Sequence, residues 1–346
     1  MYTQLHEPLR AAELEQLFAG VDSARVCLIG DLCLDLYWLA DMRLSELSRE
    51  TPHYPLPVVE ERFSPGGAGN VACNMAALGP EKLLVIGLLG CDWRGDLLAQ
   101  ALENNGVDTS FLIRDPARVT NTYIKPLRKG ISDVVYEDPR LDFEAREPVC
   151  AETEEKLLAA LAKAAEQVDV ICVSDQMTWG CITPKVREAL CALGRRGKTV
   201  VVDSRANAAL YTGVTVKPNE VEAARAFGRG TETELEALST LAQTIVEKNG
   251  RPTLLTLGGQ GCFVADKNGV VRCPACPVEP PIDFCGAGDT FLAGYGVFLA
   301  GGAAPLQAAR AANLCSAVTI KKIGTTGTAT REEVRAARAL YCGNKE

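Results

Sequence analysis

The segment Arg25-Val26-Cys27-Leu28-Ile29-Gly30-Asp31 is an apolar run that ends at a glycine and a carboxylate. A run without polar alternation indicates a strand that is buried on both faces, as in a parallel sheet. A helical pattern follows at residues 66–78, then an apolar strand at 83–89 and a helix at 93–105. Strands and helices that alternate in this way predict a doubly wound α/β/α sandwich, whose ligands gather at the carboxyl ends of the strands.

Two stretches, residues 36–63 and 109–144, interrupt this alternation. The first is rich in proline, and the second contains short β-type runs such as Thr122-Tyr123-Ile124. We expect them to form a small β-sheet lid over the strand ends, which would exclude water from a reaction site on closing. Because the alternation resumes after residue 144, residues 1–346 are predicted to form one domain with this lid.

The overall charge narrows the class of partner. The 346 residues carry a net charge of −8, which argues against nucleic acid or an anionic membrane as the main partner. Local basic groups still allow small anionic substrates. No apolar run approaches the roughly 20 residues of a membrane span, and residues 1–20 show no secretory signal. The expected location is the cytoplasm.

Cysteine and histidine usage bears on metal chemistry. The 14 cysteines are scattered through apolar strand and helix patterns, which fits reduced, buried thiols. Cys273 and Cys276 form one C-x-x-C pair, but a zinc site would need further ligands. The only histidines are His6 and His53, so histidine-based metal or triad chemistry is not expected.

The clearest chemical signal is Gly286-Ala287-Gly288-Asp289, which opens the apolar run at residues 290–295. Glycine permits close approach of the backbone to a ligand, and the free N–H groups of a helix N-terminus bind anions. A carboxylate that served only to bind phosphate would repel it. Asp289 is therefore our candidate general base, and the neighbouring backbone amides would stabilise negative charge on the phosphate. This pattern predicts phosphoryl transfer to a hydroxyl. The alternative is that Asp289 only caps the helix.

A second glycine-rich segment, Gly66-Gly67-Ala68-Gly69-Asn70, also precedes a helix. Paired glycines let the backbone approach a sugar, and an asparagine amide both donates to and accepts from hydroxyls. Asp31 and Asp35 are multi-point acceptors that we expect to bind sugar hydroxyls, with a solvated hinge as the alternative for Asp35.

Two further groups are candidate ligands. Arg49, Arg128 and Arg140 can bind a substrate phosphate by bidentate contact, although surface arginines are often merely solvated. Asn219 and Glu222 would hold Mg²⁺ through water, because hard oxygen ligands suit that ion. The alternative for this pair is an ordinary helix N-terminus, where acidic residues are favoured.

Four motifs in order resemble the ribokinase-like (PfkB) sugar kinases, over residues 25–338. The glycine motif is Gly66 to Asn70, and the family signature D-x-T-G-A-G-D-T-F is matched by Asp283-Phe284-Cys285-Gly286-Ala287-Gly288-Asp289-Thr290-Phe291. Asn219 and Glu222 match N-x-x-E, and Thr256-Leu257-Gly258-Gly259-Gln260-Gly261 matches T-L-G-x-x-G. One such motif is weak evidence, but four in the right order are specific.

Within that family, three segments resemble the heptose 7-phosphate kinases, including the kinase half of the bifunctional heptose kinase–adenylyltransferases. They are the lid stretch at residues 48–59, Arg140-Leu141-Asp142-Phe143-Glu144, and Lys322-Ile323-Gly324-Thr325. The resemblance implies a ribokinase-like fold and an ATP-dependent kinase. The expected substrate is D-glycero-D-manno-heptose 7-phosphate, phosphorylated at the anomeric hydroxyl, with no second nucleotidyltransferase activity.

The resemblance also implies cofactors, partners and site residues. ATP and Mg²⁺ are expected, K⁺ near Asp283 and the turn at Gly324 is a hypothesis, and a homodimer through the lid is expected. The implied sugar-binding residues are Asp31, Asp35, Arg49, Gly66, Gly67, Asn70, Asn121 and Arg140. The implied nucleotide-binding residues are Lys217, Asn219, Thr256, Gly258, Gly261 and Asn313.

Three departures accompany this resemblance to the heptose kinases, and they bear in turn on phosphate or cation contacts, on the choice of sugar and on a loop at the nucleotide side. Cys285 replaces the signature threonine, His53 replaces a usual lid glutamate, and Asp175-Gln176-Met177-Thr178-Trp179-Gly180 lacks their D-Y-x-K-G. One alternative is another PfkB sugar or sugar-phosphate kinase, of the fructose, ribose or nucleoside type. A non-catalytic sugar-binding protein is the other alternative, but a binder would not need Asp289 as a base.

Overall fold

The computed structural model describes residues 2–5, 7–132, 134–227 and 234–343. None of the helices within these ranges is long and apolar enough to cross a membrane. The α-helices are α1 (Ala11–Val21), α2 (Ala68–Leu78), α3 (Trp93–Asn104), α4 (Ala151–Ala165), α5 (Pro184–Arg195), α6 (Glu220–Ala226), α7 (Leu235–Asn249), α8 (Ala287–Ala300), α9 (Pro305–Thr319) and α10 (Arg331–Cys342).

The β-strands lie in two sheets. In chain order they are β1 (Thr3–Gln4), β2 (Arg25–Gly30), β3 (Leu32–Asp41), β4 (Val58–Gly67), β5 (Lys82–Gly90), β6 (Leu112–Asp115), β7 (Thr122–Lys129), β8 (Val135–Glu137), β9 (Leu141–Phe143), β10 (Val170–Asp175), β11 (Thr199–Ser204), β12 (Thr215–Val216), β13 (Thr253–Thr256), β14 (Cys262–Asp266) and β15 (Gly269–Cys273).

The large sheet has the strand order β1-β15-β14-β13-β12-β11-β10-β2-β5-β6. Within the described residues, β14 runs antiparallel to both of its neighbours and the other pairings are parallel. The predicted hairpin around residues 267–269 is the β14–β15 pair. Because the parallel strands share one direction, their carboxyl ends lie along one edge, where ligands of such sheets bind.

Strand β2 shows why this sheet is covered on both faces. Val26 and Leu28 belong to the apolar cluster that includes residues of α1, α2, α8, α9 and α10. Cys27 and Ile29 belong to the opposite cluster, with residues of α4, α5 and α7. Successive side chains of a strand point to opposite faces, so a strand with helices on both sides must be apolar throughout. The predicted doubly wound α/β/α sandwich is confirmed.

The small sheet has the order β4-β3-β7-β8, and β9 also pairs with β7. Only Asp31 separates β2 from β3, so this sheet grows directly from the carboxyl end of a central strand. Its first two strands extend from Leu32 to Gly67, which is wider than the predicted 36–63.

The structure corrects the prediction for one strand. The prediction places the whole of residues 109–144 in the lid, but β6 pairs in parallel with Gly87 to Gly90 of β5 in the large sheet. A short apolar run does not reveal which sheet it will join, because that choice depends on tertiary pairing.

Gly261 closes the turn between β13 and β14. Its φ of 92° lies in a region that residues with a side chain rarely adopt. A Cβ atom at this position would collide with the carbonyl oxygen of Cys273 and lie 2.6 Å from the backbone nitrogen of Ala275. Gly259, in the same turn, has an ordinary φ and open space where a Cβ atom would lie. The two glycines therefore have different structural constraints.

We expect Gly261→Ala to lower the free energy of unfolding by at least about 2 kcal/mol, because strained φ and backbone collision act together. The matched variant Gly259→Ala should change it by less than about 0.5 kcal/mol, as at an unconstrained surface position. Equilibrium denaturation with urea measures both. Equal midpoints for the two variants would contradict this account of the turn.

Candidate active site

The N-terminus of α8 begins at a glycine in the left-handed region, Gly286, with φ 76°. A Cβ atom there would lie 2.6 Å from Nδ2 of Asn70, so two chain segments approach each other closely at this point. The first i→i−4 bond of the helix runs from the N–H of Thr290 to the carbonyl of Gly286. The N–H groups of Gly288 and Asp289 precede that bond, which leaves them available to an anion.

Asp289 and Asn70 are in direct contact. Nδ2 of Asn70 donates to Oδ2 of Asp289 at 3.0 Å. Burial raises the pKa of Asp289 to about 6, while the Asn70 hydrogen bond opposes that rise and the carboxylate of Asp203 adds to it. A carboxyl with a pKa near neutrality is suited to accept a proton in a reaction.

A second asparagine holds Asn70 in place. Nδ2 of Asn74 donates to the Asn70 side-chain oxygen at 3.1 Å, and Oδ1 of Asn74 accepts from the N–H of Ala329 at 3.2 Å. Both asparagines are buried. The amide of Asn70 is thereby oriented with its donor towards Asp289, an arrangement that a single sequence motif could not specify.

A cavity of about 710 Å³, here called the large cavity, lies in front of this helix N-terminus. It brings together all four predicted catalytic residues and all the predicted nucleotide-side residues. Its lining includes Gly286, Ala287, Gly288, Asp289, Lys217, Asn219, Glu222, Thr256, Gly258, Gly261 and Asn313. These residues come from segments spread over a hundred positions, so their convergence is a property of the fold.

Lys217 is buried and forms an ion pair with Asp203, with Nζ and Oδ2 2.9 Å apart. Asp203, which is not among the residues predicted for the site, also lines the large cavity. A signal was present, since Asp203 stands at the end of the apolar run of β11, as Asp31 does after β2. The pair leaves the ammonium of Lys217 largely neutralised by a carboxylate.

Asn219 and Glu222 form a capping box at the start of α6. Oδ1 of Asn219 accepts from the N–H of Glu222 at 2.8 Å, and Oε2 of Glu222 accepts from the N–H of Asn219 at 2.9 Å. Burial and the nearby Asp203 raise the pKa of Glu222. Asn219 and Glu222 therefore do cap the start of α6, as the alternative interpretation expects. Oε1 of Glu222 takes no part in this capping box.

On the sugar side, Asp35, Gly66 and Gly67 lie where β3 and β4 pair. A Cβ atom at Gly66 would lie 2.6 Å from Oδ2 of Asp35, and Gly67 has φ 55°. Partial burial raises the pKa of Asp35, while the cations Lys125 and Arg140 oppose the rise. Asp35 is thus half-buried rather than a solvated hinge.

Asp31, predicted to bind a sugar hydroxyl, also has a structural role. It is buried, and three backbone N–H groups donate to its carboxylate at 2.8 Å. The donors are Gln176, Met177 and Cys181. Both oxygens of Asp31 are engaged by the loop after β10, so this carboxylate organises that loop.

The predicted phosphate-binding arginines are engaged elsewhere or exposed. Arg140 makes a bidentate pair with Asp142 at 2.6 Å, and Arg128 pairs with Asp138 at 2.6 Å. Arg49 is exposed on the turn at residues 48–53. None of the three lines the large cavity or the second cavity described below.

The C-terminal loops are joined by Asp283. Its carboxylate accepts from the N–H of Cys285 at 2.9 Å and from the N–H of Gly324 at 3.0 Å. This connects the loop before α8 to the turn that resembles a cation loop. Asn313 donates to the carbonyl of Pro274 at 3.3 Å beside the C-x-x-C segment. Among the described residues, no group of three or more His, Cys, Asp or Glu is arranged to hold a metal ion.

A second cavity of about 540 Å³, here called the small-sheet cavity, lies between the small sheet and the loops after β10 and β11. Asn121 lines it, with Oδ1 accepting from the N–H of Ala145 at 2.9 Å. Gln176 and Arg205 line both cavities. The two cavities therefore adjoin, and neither Arg205 nor the other arginine of this cavity, Arg146, was singled out from the sequence.

Comparison with known proteins gives the family. Residues 23–331 match the family model described as pfkB family carbohydrate kinase. The chain is 36% identical over 320 residues to the bifunctional protein HldE of Geotalea uraniireducens and 34% identical over 328 residues to that of Bradyrhizobium sp.. These alignments cover 91% and 92% of this chain, which spans 63% and 64% of the two relatives.

Solved structures agree on the fold. The ribokinase of Arabidopsis thaliana, with ribose and ATP, has a TM-score of 0.69 at 20% identity and covers 91% of this chain and 99% of its own. Phosphofructokinase-2 of Escherichia coli has a TM-score of 0.71 at 19% identity and covers 92% and 99%. Together with the convergence of three of the four motifs on one cavity, the family match shows that the chain belongs to the pfkB family and is an ATP-dependent carbohydrate kinase.

Proposed function

We propose that this chain transfers the γ-phosphoryl group of ATP to the anomeric hydroxyl of D-glycero-D-manno-heptose 7-phosphate. The similarity to relatives named HldE and the segments at residues 48–59 and 140–144 support the sugar. The 3.0 Å contact between Asn70 and Asp289 carries the chemistry, because it joins the sugar-side motif to the phosphate-side helix. The proposal concerns the kinase activity alone, since the chain spans 63% of the first relative.

Asp289 acts as the general base in this proposal. Its carboxylate takes the proton of the acceptor hydroxyl while that oxygen attacks the γ-phosphorus and the bond to the leaving ADP breaks. The N–H groups of Gly288 and Asp289 stabilise charge on the transferring group. Asn70 holds the carboxylate towards the sugar side, and Asp35 and the backbone at Gly66 and Gly67 are placed to bind sugar hydroxyls.

The residues of the large cavity fit Mg²⁺. Glu222 offers one carboxylate oxygen that the capping box leaves free, and Mg²⁺ is commonly held by one or two carboxylates with water and substrate phosphates. When bound, the ion would neutralise charge on the ATP phosphates. Turnover that persists after complete removal of divalent ions would contradict this part of the proposal.

K⁺ near Asp283 follows from the family resemblance. The carboxylate of Asp283 already accepts hydrogen bonds from two backbone N–H groups. Its contribution to a cation site would therefore be to hold the loop that contains Gly324 in place. Equal turnover in potassium and sodium salts would remove K⁺ from the proposal.

We also propose a homodimer through the small sheet. Apolar side chains on its outer strands are exposed, including Val58 and Val59 of β4 and Val135 and Tyr136 of β8. These residues lie on the two edges of the small sheet, and exposed apolar surface is a feature of interaction sites. A mass near 37 kDa by light scattering would contradict the dimer.

The substrate is tested by ATP consumption with Mg²⁺ against heptose 7-phosphate, fructose 6-phosphate, fructose, ribose and adenosine. Preference for heptose 7-phosphate is the expected result. Preference for another sugar would keep the kinase chemistry and replace the substrate. In that case His53, at a lid position that departs from the heptose kinases, is the first residue to vary.

We expect Asp289→Asn to lower kcat by about 100-fold or more, because the amide cannot accept the proton that general-base catalysis requires. The substitution keeps the side-chain shape, so ATP binding and the unfolding midpoint should stay near those of the wild type. Steady-state kinetics and calorimetric titration with ATP measure the two effects. Wild-type turnover in this variant would exclude Asp289 as the base and leave it a helix cap.

The pH dependence follows from the pKa of Asp289, which burial raises to about 6. A base must be deprotonated, so kcat/KM should fall as the pH drops through about 6. Asn70→Ala removes a hydrogen bond that lowers this pKa, so the acid limb should move to higher pH. Asn313→Ala, which lines the cavity without contacting Asp289, should leave the midpoint in place. A shift in the opposite direction for Asn70→Ala would refute the assignment.

A further inference from the structure

We propose that the small-sheet cavity binds the phosphate that the sugar substrate already carries, and that Arg146 and Arg205 are its ligands. The inference rests on the proposed function, because it assumes that the acceptor sugar is a phosphomonoester. It assigns a role to two arginines that no sequence motif indicated, and it replaces the candidates Arg49, Arg128 and Arg140.

Two carboxylates and two guanidinium groups line this cavity, and both carboxylates already accept hydrogen bonds from the protein. Oδ2 of Asp175 accepts from Ser204, Asn207 and Tyr211. Glu144 accepts from the hydroxyl of Tyr123 at 3.0 Å.

The two arginines of this cavity, unlike its carboxylates, have no hydrogen-bond partner for their side chains among the described residues. Within the described part of the chain, the guanidinium groups of Arg146 and Arg205 make no hydrogen bond and no ion pair, and both side chains are exposed. Two guanidinium groups that make no ion pair, on the wall of one cavity, are donors of the kind that bind a phosphate dianion.

The backbone that carries Arg146 is fixed on both sides. The N–H of Ala145 donates to Asn121 at 2.9 Å, and the carbonyl of Glu147 accepts from Arg118 at 3.0 Å. Arg118 also donates to the carbonyl of Trp179 in the facing loop. The segment is therefore anchored, while the guanidinium group of Arg146 makes no hydrogen bond or ion pair among the described residues. Little backbone freedom would therefore be lost on binding.

The backbone at Arg205 is anchored in a similar way. Its N–H donates to the carbonyl of Asp175 at 3.1 Å, and the next turn is held by the bond from the N–H of Asn207 to the hydroxyl of Ser204 at 3.0 Å. The buried cation of the large cavity, Lys217, is paired with Asp203. Arg205, the cation of the shared wall, makes no ion pair among the described residues, although its charge opposes the rise in the pKa of Glu222.

The two cavities adjoin, which suits a substrate that carries a phosphate at one end and the acceptor hydroxyl at the other. Arg205 and Gln176 line both cavities, whereas Asp289 lines only the large cavity and Arg146 only the small-sheet cavity. A sugar phosphate can place its acceptor hydroxyl at Asp289 and its phosphate at Arg146, passing the shared wall. The phosphates of ATP belong to the side of the helix N-terminus, away from Arg146.

The test compares Arg146→Gln with Arg196→Gln, a control that removes an exposed arginine at the end of α5, away from both cavities. For Arg146→Gln we expect the KM for heptose 7-phosphate to rise at least about tenfold, as for a lost charge-assisted contact. The KM for ATP and the kcat/KM for the same heptose without its phosphate should stay unchanged. The control should match the wild type in all three values.

A binding measurement separates this inference from the proposed function. Calorimetric titration with inorganic phosphate, in the presence of a saturating non-hydrolysable ATP analogue and Mg²⁺, should show binding to the wild type and to Arg196→Gln. Binding should be weaker for Arg146→Gln and Arg205→Gln. If no sugar is turned over but this pattern holds, the proposed substrate fails and the anion site stands. Equal phosphate binding by all variants, or an unchanged KM in Arg146→Gln, overturns the inference.

Discussion

The hydrogen bond between Asn70 and Asp289 is the constraint on which the rest of the site depends. It joins the N-termini of α2 and α8 across 219 positions of sequence. The two segments approach so closely that Gly286 has no room for a side chain. Asn74 keeps the amide of Asn70 turned towards Asp289, so the half-buried carboxyl retains one donor without losing its capacity to accept a proton. A looser contact would leave the carboxyl either unpaired or fully solvated.

The local charges explain how an acidic chain can handle anions. The net charge of the whole chain is −8, yet the walls of the two cavities offer helix N–H groups and, among the described residues, unpaired guanidinium groups. The ion pair with Asp203 makes the ammonium group of Lys217 less available to an anion. The electrostatic field of a site is thus set by which side chains are already paired, and composition does not reveal this.

Several residues show where sequence reasoning was sufficient. The glycines at 66, 67, 261 and 286 indicate close backbone approach, and three of them have φ values open mainly to glycine. The apolar runs of β2 and β10 indicate burial on both faces. These signals are local, because they depend on the conformational range of one residue or on the period of one segment.

The roles of other residues could not be predicted from the sequence. Asp31 and Asp35 have the same side chain four positions apart, yet three backbone amides engage Asp31 while Asp35 stays half-buried beside Gly66. Arg140 and Arg146 lie in one segment, yet of the two only Arg140 forms an ion pair with a carboxylate among the described residues. A polar side chain can serve many roles, and its partners come from distant segments.

The sequence by itself determined the alternation of strands and helices, the glycine turns and the identity of the carboxylate at the start of α8. Only the tertiary structure decided that β6 joins the large sheet, that Asp203 neutralises Lys217, and that Arg146 and Arg205 share a cavity. Backbone conformational preference acts within a few residues, and it can therefore be predicted from the sequence. Pairing, burial and charge compensation depend on contacts between segments that only the folded chain brings together.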